Sequence, residues 1–184
     1  MLVSRAQGAG VIVVVVIAAL AIGCGGRQRT VSGTRIPDTA ANRAILDTIE
    51  AYRQAVERRD SPALLLMASP NYREDSGTIS GKDDYGIAKL RTVLDTRFQL
   101  AQDIRFSMRY VSVRRACPGG RSKDELVPGC RAQVEVLVDA SFTVIDARNQ
   151  ERRPDKRDQN LLELEWSCAS DKGGGCKWLF VSGM

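Results

Sequence analysis

Hydrophobic and polar positions along this chain form an apolar run, a polar stretch, a helical regime and then a strand regime. The apolar run extends from Val11 to Ile22, and polar, Gly- and Arg-rich sequence follows from Gly25 to Pro37. From there Ile45, Leu46, Ile49, Tyr52 and Val56 recur at the spacing of one helix face. Asp38 or Thr39 can cap that helix, which ends near Arg59-Asp60. Ser61-Pro62 reads as a cap followed by proline at the first helical position. It opens a short helix, Ala63 to Ala68, ended by Ser69-Pro70. The segment Asn71 to Lys82 is polar, holds Gly77 and Gly81, and reads as loop. A third helix is expected from about Asp83, with Ile87, Leu90, Leu94 and Phe98 on one face.

The period then changes to two. Ile104, Phe106, Met108 and Tyr110 alternate with polar residues, as a half-buried strand does. Ala132, Val134, Val136, Val138, Ala140, Phe142 and Val144 continue the alternation in a longer strand. A polar break from Asp146 to Asn160 precedes Leu162, Leu164 and Trp166, and Trp178 to Val181 closes the pattern. Helices first and then four antiparallel strands joined by short loops is the α+β class, with N-terminal helices packed on one face of a sheet. Residues 38–184 of the 184 make one such domain, long enough to bury a core.

The N-terminal run adds an address. Arg5 is the only charge before Arg27. A basic start, about a dozen apolar residues and small residues before a cleavage point are the secretory pattern, and the run is short of the ~20 residues that span a bilayer. Leu20-Ala21-Ile22-Gly23-Cys24 resembles the bacterial lipobox in its final Gly23-Cys24. It departs in placing Leu20 four before the cysteine, with Ala21 at the usual leucine position. The resemblance implies a signal peptide over 1–23, acylation of Cys24 on sulfur, and a membrane anchor through that lipid, with 24–37 as a flexible tether. An uncleaved anchor from Gly8 to Cys24 is the alternative. Gly25 after the cysteine lacks the aspartate of inner-membrane retention. That favours the outer membrane and a domain on the exported, periplasmic side.

Cysteine content agrees with export. Cys24 apart, Cys117, Cys130, Cys168 and Cys176 remain, which suits two disulfides in an oxidising compartment. Local pairing, Cys117–Cys130 and Cys168–Cys176, would bracket two Gly-rich segments between strands. There is no Cys-x-x-Cys spacing and no histidine, so no metal or cofactor is expected. The net charge is +5, with the arginines scattered and Arg148 to Arg157 mixed with Glu151 and Asp155. That argues against nucleic acid as a partner.

The layout resembles the nuclear transport factor two-like superfamily, which includes SnoaL-like and ketosteroid-isomerase-like proteins. The residues that carry it are the first helix ending near Arg59-Asp60, the short helix from Ser61 leading to Asn71-Tyr72, the third helix, and the terminal strand Lys177 to Gly183. The resemblance implies a strongly curved sheet wrapped on helices as a cone, with a cavity at its wide end. It also implies an early short strand, which would fall near Ile79.

Catalytic members place an Asp, Glu, His or Tyr among apolar residues inside the cone, where a dry pocket shifts its pKa. Here the expected inward sets hold no carboxylate, and Glu135, Asp139, Glu163 and Glu165 fall on the outward positions. Only a bulge would turn Asp139 inward. Tyr85, Asp83 and Asp84 remain as polar candidates, the two aspartates most simply as helix caps. Candidate ligand contacts are Tyr52, Tyr72, Tyr110 and Trp166, with Tyr72 matching an aromatic often found at the cavity mouth. Without histidine, Ser-His catalysis is excluded. The expectation is a non-catalytic envelope lipoprotein binding a small apolar ligand or a partner protein, a homodimer included. The alternative is an isomerase or dehydratase using Tyr or Asp in the cavity, so no catalytic residue is assigned.

Overall fold

Thr39 opens the first helix, α1 (Ala40–Glu57), by accepting the Asn42 amide on its hydroxyl at 3.2 Å. The computed structural model describes residues 29–75, 81–120, 125–145, 150–154, 158–168 and 175–184. Helix α1 buries Ile45, Ile49, Tyr52 and Ala55, the stripe its spacing predicts. It ends where Arg59 takes a φ of 57° and the Asp60 amide returns to the Ala55 carbonyl at 2.9 Å. That reversal makes Asp60, not Ser61, the cap of α2 (Ser61–Met67). The Asp60 carboxylate accepts the Ala63 amide at 3.0 Å, and Ser61 is buried inside the helix.

The next stretch departs from the expected loop. Arg73–Glu74 (β1) pairs antiparallel with Tyr85–Gly86 (β2), bringing Glu74 opposite Tyr85. Helix α3 (Ile87–Leu100) therefore starts four residues later than about Asp83, with Gly86 as its cap. Asp83 and Asp84 are not its caps; the Asp84 carboxylate pairs with Arg73 at 3.3 Å. Burial of Tyr85 between the hairpin and the core prevails over local helix signals. The early strand expected near Ile79 lies outside the described residues.

The main sheet comprises β3 (Ala101–Ala116), β4 (Arg131–Ile145), β5 (Gln150–Pro154), β6 (Asp158–Cys168) and β7 (Cys176–Ser182). Its order is β3-β4-β6-β7, all antiparallel, with β5 paired to the far end of β4. The polar break expected over Asp146 to Asn160 is thus strand at 150–154 and 158–160. Polarity there misled because β4 outruns β6: Ser141 to Ile145 need ladder partners, and β5 supplies them whatever its side chains. Three helices pack on this sheet, giving the expected α+β cone.

The alternation on β4 holds. Ala132, Val134, Val136, Val138 and Ala140 are buried, while Gln133 and Asp139 are exposed. The register shifts of the β3–β4 ladder lie at Gln102/Arg105 and Tyr110/Ser112, away from Asp139, which stays outside opposite Ser107. With them Phe180, Leu162, Leu164, Ile45, Ile49, Leu64 and Leu90 fill the interior between sheet and helices.

Both disulfides form as the spacing suggests, Cys117–Cys130 and Cys168–Cys176. Residues 29–37, expected as the end of the tether, make a hydrogen-bonded turn. Val31 donates to the Ile36 carbonyl at 2.9 Å, Asp38 to that of Arg29 at 2.8 Å, and Ile36 is 2% exposed. Burying Ile36 contributes roughly 1.5–3 kcal/mol to docking this turn, and the Asn42 side chain adds a hydrogen bond to the Pro37 carbonyl at 2.9 Å. The expected signal peptide over 1–23, Cys24 and the rest of the expected tether lie outside the described residues. Among the described residues, no helix is long and apolar enough to cross a membrane.

Candidate functional site at the mouth of the cone

In an extended segment, residues two apart share a side. Tyr72 and Glu74 do so, and β1 turns that side toward the end of β7. The Tyr72 hydroxyl donates to Glu74 Oε2 at 2.6 Å, and the same oxygen accepts the Gly183 amide at 2.9 Å. The Met184 amide donates to the Tyr72 hydroxyl at 3.3 Å. The Tyr85 ring lies 6.4 Å from that of Tyr72; burial raises the pKa of its hydroxyl, and the Arg97 charge on α3 acts the opposite way. Glu74, Tyr72 and Tyr85 thus form a cluster between the β1–β2 hairpin and the backbone after β7. A groove of about 580 Å³ beside the β1–β2 hairpin is lined by Tyr72, Tyr85 and Asp84, and one Asp84 carboxylate oxygen is buried without a partner.

Burial pushes the Tyr72 hydroxyl far above the usual tyrosine range, and the Glu74 carboxylate beside it pushes the same way. Burial does the same to Tyr52, and raises Tyr85 and Tyr110 less. At neutral pH these phenols therefore stay protonated, and Tyr72 donates to Glu74. The one carboxylate of the cluster is Glu74. Its Oε2 is already engaged by a phenol and a main-chain amide.

The four candidate ligand contacts do not converge. Tyr52 sits under the cluster, packed edge-on to Phe106 at 6.0 Å and against Phe180 at 5.1 Å. Tyr72 belongs to the cluster itself. Tyr110 lies on β3, where the charges acting on it are Glu50, Arg53 and Asp47 of α1. Trp166 is half-buried at the disulfide end, 5.4 Å from Trp178, and its amide donates to the Cys130 carbonyl. Asp83 and Asp84 flank the hairpin, with Asp84 on its groove. Sequence reasoning missed Glu74 and Arg97. Glu74 had one available signal, the Tyr72-x-Glu74 spacing; Arg97 stands among exposed charged residues of α3 and has none. Among the described residues, no group of three or more His, Cys, Asp or Glu side chains gathers as a metal site would.

No protein-family model matches the chain, and no curated protein matches its sequence. Solved structures do. A conserved protein from Planctomyces limnophilus superposes with a TM-score of 0.55 at 12% identity, over 78% of this chain and 92% of that one. A ketosteroid isomerase-like protein from Erwinia carotovora atroseptica gives 0.50 at 17% identity, over 76% and 90%. A protein from Catenulispora acidiphila gives 0.50 at 10% identity, over 78% and 88%. At these identities the likeness is one of fold, and it agrees with the layout expected from the sequence.

Proposed function

We propose that this chain is an exported lipoprotein, anchored through Cys24, whose cone-shaped domain binds a small apolar ligand or an envelope protein without catalysis, a second copy of the chain included. The observation that carries the non-catalytic reading is the use made of Glu74. Its carboxylate holds the Tyr72 hydroxyl and the Gly183 amide, while the β4 carboxylate Asp139 faces solvent. Asp84, on the groove beside the hairpin, pairs one carboxylate oxygen with Arg73 and keeps the other buried without a partner. Two disulfides suit an oxidising, exported compartment.

Two measurements test this reading. In cells fed an alkyne-bearing fatty acid, the wild type should label and the Cys24→Ser chain should not; equal labelling would refute the anchor. Mass spectrometry of solvent extracts from the purified chain should release an unaltered apolar molecule, and a chain that releases none and captures none refutes ligand binding. Light scattering reports whether a second copy is the macromolecular partner.

A second reading is favoured by the Tyr72–Glu74–Tyr85 cluster, since a phenol beside a carboxylate can polarise and deprotonate a carbon acid. An isomerase or dehydratase would use that pair. A cell extract treated with wild type and with Glu74→Gln decides: a product made by the wild type alone establishes the enzyme.

A further inference from the structure

The segment after β7 is tied to the β1–β2 hairpin and packed against the start of the buried part of β6. Gly183 takes a φ of +86°, and a Cβ there would collide with the Leu161 carbonyl and lie 3.1 Å from the Leu162 Cα. Only glycine brings the chain this close. Its amide and that of Met184 then reach Glu74 and Tyr72, and the Met184 side chain packs against the apolar core. Two neighbouring main-chain N–H donors with an apolar side chain beyond them are what a bound ligand would present.

We infer that Glu74 and Tyr72 form a seat for an apolar amide, occupied here by the chain's own Gly183–Met184, and that displacing this segment opens the seat. The inference rests on the ligand-binding reading and names its ligand class. Specificity comes from the Glu74 carboxylate, which takes the N–H of the ligand's amide, while the Tyr72 oxygen can take a second donor where the ligand carries one. The Tyr85 ring packs 6.4 Å from that of Tyr72 on the other side of the seat. A ligand with the same apolar body and no N–H would leave the carboxylate desolvated and unpaired, which disfavours it.

The experiment uses the detergent-solubilised full chain, the same chain lacking Gly183 and Met184, and Gly183→Ala, which dislodges the segment without shortening the chain. Circular dichroism reports whether each is folded. The probes are N-benzylacetamide and its N-methylated analogue, followed by ligand-observed NMR. The released forms should bind N-benzylacetamide about tenfold more tightly than the intact chain does, and about tenfold more tightly than they bind the N-methyl analogue. Adding Glu74→Met should abolish that preference. Equal affinities across the chains, or for the two amides, overturn the seat. So does unfolding of both released forms, which would make the segment an integral part of the core. Apolar-ligand binding itself survives any of these results if the purified chain still yields an extracted ligand.

Discussion

Glu74 joins two parts of the molecule that are far apart in sequence: the β1–β2 hairpin with Tyr72 beside it, and the backbone after β7. Glu74→Ala leaves the Gly183 amide and a buried phenol without their acceptor. Loss of a charged acceptor costs about 1–3 kcal/mol, so urea unfolding should show a shift of that size with an unchanged m-value. The tyrosines make a second prediction. Burial raises Tyr52, Tyr72, Tyr85 and Tyr110 in the folded state, most strongly Tyr52 and Tyr72. A raised folded pKa means that above the unfolded value, near 10, the unfolded chain releases protons that the folded chain keeps. Stability is therefore full below about pH 10 and falls as pH rises beyond it toward the folded values. Thermal melts from pH 8 to 11 should be flat and then decline. Tyrosine ionisation at 295 nm should coincide with unfolding for the buried pair, and early reversible ionisation of all four rings would contradict it. Tyr72 could be singled out from sequence. Glu74 had only its spacing from Tyr72 as a signal, because its other partner, Gly183, lies 109 residues further along the chain.

At the scale of elements, the sheet has two long edges, and both are closed by groups from the helical half. On β7, the Ser69 amide donates to the Phe180 carbonyl at 2.8 Å. On β3, Phe106 gives its amide to Glu57 at 3.0 Å and takes Arg53 on its carbonyl at 3.2 Å. Arg53 is itself held by Glu50 and Glu57, so α1 presents a fixed pair of charges to the strand edge. Unpaired edges invite intermolecular pairing. Glu57→Ala should speed exchange of the Phe106 amide and lower stability by roughly 1 kcal/mol. Exchange unchanged at Phe106 would show that water replaces the carboxylate at no cost. Periodicity predicted α1, α2 and β4 well because each has one apolar face to hide. It failed at β1, β2 and β5, which are short or polar and exist only because another strand offers them a ladder.

Across the whole molecule, the two disulfides staple the same end of the sheet. Cys117–Cys130 joins β3 to β4 and Cys168–Cys176 joins β6 to β7, closing loops with separations of 13 and 8 residues. Closing loops this short contributes about 2–3 kcal/mol each. Denaturant midpoints should fall when both are reduced, and fall less in Cys168→Ser/Cys176→Ser alone. A midpoint insensitive to reductant would show that the core needs no staples. Local information was sufficient for the fold class, the helices, the long strands, the outward face of Asp139 and the cysteine pairing. Each of these follows from period, glycine-rich turns or proximity along the chain, and burial of an apolar face enforces them independently of distant contacts. Only the tertiary structure decided the β1–β2 hairpin, the start of α3, the strand at Gln150–Pro154, the docking of Ile36 and the Glu74–Tyr72–Gly183 cluster. These depend on hydrogen bonds and contacts between segments up to 112 residues apart, and no local pattern of polarity records which distant backbone will supply the partner.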